Sequence, residues 1–131
     1  MKYLDEIIDE LIDYTRLEVE IRINNYIPCP TMSSLSNNKR IIEVNQYLIP
    51  DHLDITAHIM SHEFGHHCLD HVFEDPRTLD QLELDIREDE ADTYASVFIE
   101  KYGYDKKPII DFIIKGNSNY HNRIKILNNT L

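Results

Sequence analysis

The chain has 131 residues, 42% of them apolar and 28% charged, the make-up of one domain around one core, which excludes two independent cores and excludes disorder as the main state. Thirteen Lys plus Arg against 24 Asp plus Glu leave a formal charge of −11, which argues against direct nucleic-acid binding and for a basic protein partner. No apolar run approaches the roughly 20 residues of a membrane span, and Met1–Glu6 turns acidic where a signal peptide would become apolar, so a cytoplasmic protein with no membrane segment is expected.

In chain order, Leu4, Ile7, Ile8, Leu11 and Ile12 recur at helical spacing and predict a first helix to about Tyr14. The acidic residues between them read as a solvated face. The period then becomes two, with Leu17, Val19, Ile21 and Ile23 alternating with charged residues as in a half-buried strand. Met32–Ser36 and Arg40–Asn45 flank Asn37-Asn38, a pair that tolerates the positive φ of a tight hairpin. Pro50-Asp51 opens a central helix reaching His71 or Phe73, and a second long helix is expected from about Thr78 to Tyr102, stopped by Gly103. Pro108 opens a short apolar helix closed by Gly116, and Ser118 could cap a last one. One helix, three strands and then helices make a single α+β domain over residues 1–131.

The chemistry concentrates in His62-Glu63-Phe64-Gly65-His66. Residues four apart on a helix lie about 40° apart in rotation and about 6 Å apart in rise, so both imidazoles can reach one ion. Glu63 stands beside that face, where it can reach a water without being a ligand. A catalytic zinc site takes three protein ligands and leaves a fourth position for water. Glu88 and Glu90 on the second helix are the candidates for the third. Glu88 shares the side of Ala91 and Ala95, small residues that let two helices approach, so Glu88 is expected as the ligand and Glu90 on the outer side. Asp92, one turn on, would accept from the imidazole of a ligand histidine, His62 foremost. Gly65 inside a helix costs about 1 kcal/mol relative to Ala, which points to a close backbone approach.

The run His62–His66, followed 22 residues on by Glu88-Asp89-Glu90-Ala91-Asp92-Thr93-Tyr94-Ala95, resembles the ImmA/IrrE-type metallopeptidases, whose second helix carries Glu-x-x-Ala-x-x-x-Ala. The similarity covers roughly residues 19–100. It implies a minimal zincin-like domain, with a small three-stranded sheet packed on the HExxH helix and a second ligand-bearing helix. It further implies a Zn²⁺-dependent endopeptidase that cleaves a DNA-binding transcriptional repressor, often in mobile elements or stress responses. One departure stands out: where family members often carry a His four residues beyond the second metal His, this chain has Asp70, with His71 next. Related metallopeptidases also place a His or Tyr downstream to hold the oxyanion. His121 is the candidate here, ahead of Tyr120, with structural capping the alternative.

The remaining histidines have plainer readings. His58 lies about 12 Å along the helix from His66, too far to share its ion, and reads as a solvated histidine or one supporting a ligand. His67 and His71 are expected to point away from the metal face, on the surface or near the helix C-terminus. Cys68 reads as a small buried hydrophobe rather than a thiolate ligand, and a Cys29–Cys68 bridge is not expected. Two accounts of function stay open: hydrolysis with Glu63 as general base, or occlusion of a regulator without proteolysis, with the metal structural or vestigial.

Overall fold

The computed structural model describes residues 3–116 and 120–128. Five α-helices and a three-stranded sheet follow in the order α1 (Leu4–Thr15), β1 (Val19–Ile23), β2 (Thr31–Ser36), β3 (Lys39–Val44), α2 (Leu53–Cys68), α3 (Gln81–Tyr102), α4 (Lys106–Gly116) and α5 (Tyr120–Asn128). Two single turns of 3₁₀ helix, His71–Phe73 and Pro76–Thr78, lie between α2 and α3. The α+β class expected from the pattern is therefore observed.

The sheet order is β1-β3-β2. Strand β3 pairs in parallel with β1, from Val19 opposite Arg40 to Ile23 opposite Val44, and antiparallel with β2. The β2–β3 hairpin turns on Asn37 and Asn38, both at positive φ (52° and 63°), as a two-residue turn between twisted strands requires. Being central, β3 buries Ile41, Ile42 and Val44, whereas β2 is an outer strand.

Helix α2 runs through the middle of the molecule. Ile55, Ala57, Met60 and Phe64 are buried, but so are Thr56, His58, Ser61 and His67, so its polar residues do not mark an exposed face. It ends at Cys68, short of the predicted His71, because Asp70 takes a left-handed conformation (φ 58°) and turns the chain into the first 3₁₀ turn. Helix α3 starts at Gln81 rather than Thr78, with the Asp80 side chain accepting from the Glu83 amide at 2.8 Å. It stops at Gly103 (φ 74°), where the Tyr104 amide donates to the Ile99 carbonyl at 3.1 Å, closing the last turn as a glycine C-terminus does. Pro108 is the third residue of α4, within its first turn. The expected Ser118 cap lies outside the described residues.

Ile7 and Leu11 of α1, Ile42 and Val44 of β3, Met60 and Phe64 of α2, Phe98 and Ile99 of α3, and Ile109 and Ile113 of α4 form one core. The result is a fixed crossing of α2 and α3, the two helices that carry the motif residues. No described helix is long and apolar enough to cross a membrane.

Candidate metal centre

His62 and His66 project from one face of α2 toward Glu88 on α3, as their spacing predicts. Their Nε2 atoms lie 3.1 Å apart. Glu88 reaches both, with Oε2 3.0 Å from His62 Nε2 and Oε1 3.3 Å from His66 Nε2. These three residues are the one group of metal-ligating type among the described residues. Ligands about 2.0–2.1 Å from a tetrahedral ion stand about 3.3 Å from one another. The donor separations and the His₂Glu set therefore fit a zinc site with a fourth position available.

The other edge of each ring is also engaged. His62 Nδ1 lies 2.8 Å from Asp92 Oδ1, the partnership expected from sequence. Asp92 is buried and also accepts from Arg123 of α5, from Nε at 2.8 Å and from Nη2 at 2.9 Å. Burial alone would raise the Asp92 pKa, but the bonds from His62 and Arg123 win and hold it well below the carboxylate range. Glu88 is held down likewise by His62 and His66 against its own desolvation. Burial opposes a charge on His62, yet its bonds to Asp92 and Glu88 outweigh that and push its pKa up to about 10.

Glu63 stands next to the three donors, where it accepts a hydrogen bond from Ser33 Oγ on the outer strand β2. A cleft of about 750 Å³ runs past it, between β2 on one side and the 3₁₀ turns and the start of α3 on the other; Glu63, His66 and Glu88 lie on its wall. The site is thus open where water or a chain segment would enter.

Gly65 lies directly against α3: a Cβ there would meet Tyr94 Cβ at 3.0 Å. That contact is the close approach its place in the motif implied.

Other expectations need correction. His71 does not point away, since its Nδ1 lies 2.9 Å from His66 Nδ1. Glu90, expected on the outer side, is indeed exposed but also lies 3.5 Å from His71 Nε2. His67 is fully buried, donating from Nε2 to the Ile41 carbonyl at 3.1 Å. His58 is buried rather than solvated, and burial pushes its pKa down to about 3 against the pull of Asp92. Cys68 is only half-buried and donates to the Tyr94 hydroxyl; Cys29 and Cys68 are both free. His121 is exposed, its ring against that of Tyr120, and α5 meets the site instead through Arg123. Sequence reasoning misses Arg123 and Ser33, sets Glu90 aside after weighing it as a ligand, and turns His71 away from the site. The family's His beyond the second metal ligand was the one signal for a role at His71.

Comparisons with protein-family models, with curated proteins and with solved structures return no match.

Proposed function

We propose that the chain is a zinc-dependent endopeptidase of the zincin type, similar to the ImmA/IrrE metallopeptidases, with a DNA-binding repressor as its target. The observation that carries this reading is the convergence of His62, His66 and Glu88 from two helices onto one point beside Glu63, on the wall of an open cleft. A structural zinc site is usually closed by four protein ligands, and the described residues offer three.

His62, His66 and Glu88 would hold the ion. The chemistry available at such a centre is activation of a water, whose pKa falls to about 7, and polarisation of the scissile carbonyl. Glu63 takes the proton of the attacking water on its carboxylate and passes it to the leaving amine. Ser33 orients that carboxylate from β2. The outer edge of β2 offers backbone groups to an extended segment of the target, so a flexible stretch of the substrate is selected over a folded one. The net charge of −11 suits a basic target.

The test compares the wild type and Glu63→Gln, loaded with equal zinc, on a peptide library read by mass spectrometry. New termini with the wild type and none with the variant are expected. Equal cleavage by both would remove Glu63 from the chemistry. With a responsive repressor in hand, relief of repression by Glu63→Gln would favour occlusion instead.

A further inference from the structure

We propose that His71, backed by Glu90, is a positioning residue that fixes the imidazole of His66, separately from the Asp92–Arg123 pair that fixes His62. This rests on the reading of His62, His66 and Glu88 as ligands of one ion.

A histidine that ligates through Nε2 keeps its hydrogen on Nδ1 and needs an acceptor there, which sets both tautomer and ring angle. His62 has Asp92. For His66 the neighbour is His71 Nδ1, at 2.9 Å, with the rings edge to face at 5.1 Å between centroids. Two imidazole nitrogens at that distance share one hydrogen. With His66 donating, His71 accepts on Nδ1 and carries its own hydrogen on Nε2, the atom that faces Glu90 Oε1. The chain of donors then runs in one direction, from His66 through His71 to Glu90.

The backbone is built to deliver His71 to this place. Asp70 at positive φ reverses the chain just past α2, so that His71 folds back against the helix that carries His66. Arg40 of β3 fixes the reversal, donating to the His67 carbonyl at 2.6 Å and to Asp70 Oδ1 at 2.8 Å. The His71 side chain is left only 9% exposed, which keeps water from taking its place as the acceptor. Val72 and Phe73, which follow it, line the cleft beside Glu63. One short turn therefore supports a ligand and shapes the cleft wall.

The experiment measures zinc affinity by competition with a chromophoric chelator, and the visible spectrum of the cobalt-loaded protein. Wild type, His71→Ala, His71→Asn and Glu90→Ala are compared, with unfolding of each metal-free protein recorded alongside. Loss of the acceptor in His71→Ala should weaken zinc binding about 10–100-fold and shift the cobalt bands. His71→Asn, which keeps an acceptor oxygen near the position of Nδ1, should restore much of both. Glu90→Ala should fall between wild type and His71→Ala, and it decides the matter if His71→Ala does not fold. A His71→Ala protein that binds like wild type with the same cobalt spectrum overturns the proposal while leaving the ligand set intact. An Asn variant no better than Ala also overturns it. A wild type that binds no ion overturns both the proposal and the reading beneath it.

Discussion

Gly65 lies against Tyr94 with no room for a side chain: a Cβ on the glycine would stand 3.0 Å from Tyr94 Cβ and 3.3 Å from the Ala91 carbonyl oxygen. Both neighbours belong to the body of α3, not to a mobile side-chain tip, so relief requires the helices to part. Glu88 rides on the same helix and would move with it.

Gly65→Ala is therefore expected to be destabilising. The gain of about 1 kcal/mol in helix propensity is offset by an overpacking cost of about 1–3 kcal/mol. Urea unfolding of the metal-free protein should show a net loss of about 1 kcal/mol, and chelator competition should show weaker zinc binding. An alanine variant as stable as wild type with undiminished affinity would mean that the contact does not set the helix spacing.

Asp92 holds together three elements, taking His62 from α2 and Arg123 from α5 while itself on α3. Asp92→Ala strands the part-buried Arg123 guanidinium and the His62 imidazole, and should cost about 3–5 kcal/mol of stability, the range for breaking a buried charged pair. Zinc affinity should fall about 10–100-fold. Asp92→Asn, which keeps one acceptor oxygen, should lose less of both. The pair of thermal melts and zinc titrations checks the order; Ala and Asn behaving alike would contradict it.

Acid should weaken the metal-free fold before its carboxylates titrate. His58 is held neutral by burial, its pKa near 3 despite the nearby Asp92, with Arg123 and His62 pressing the same way as burial. Burial lowers His67 and His71 too. The unfolded chain takes up a proton on His58 near pH 6.5 while the folded chain does not, and His67 and His71 act in the same direction, so stability drops as pH falls through that point. The slope is about 1.4 kcal/mol per pH unit for each fully resisting group. His62, raised to about 10, acts with the opposite sign above pH 6.5, where only the folded chain holds its proton, but is protonated in both states well below that point and adds no slope there. Asp92 and Glu88 add the same sign of loss only below about pH 4.5, as the unfolded carboxyls protonate. Urea midpoints at pH 6, 5.5 and 5 should fall in that order, and His58→Gln should flatten the trend. A flat profile in wild type would contradict the buried neutral state.

Much of the site was legible because its geometry is local. The i, i+4 spacing of His62 and His66 fixes a shared face on any α-helix, and the small residues beside Glu88 fixed which side of α3 turns inward. Asn37-Asn38 announced its hairpin for a similar reason, since few residues tolerate positive φ. What escaped depends on events that no period records. Asp70, an aspartate at φ 58°, ends α2 early and returns His71 to His66; helical projection of His71 past that point gave the wrong direction. The approach of the half-exposed Glu90 to the site follows from the same reversal, because its partner is His71. Arg123 reaches Asp92 only through the docking of α5, a contact 31 residues distant in sequence. The parallel pairing of β1 with β3 is equally non-local.

Anomalous diffraction at the zinc edge, from crystals of the zinc-loaded protein, tests the central claim most directly. A single peak is expected about 2.0–2.2 Å from His62 Nε2, His66 Nε2 and a Glu88 oxygen, with its remaining side facing Glu63 and the cleft. A peak elsewhere, no peak at all, or a fourth protein ligand on that side would contradict a hydrolytic centre.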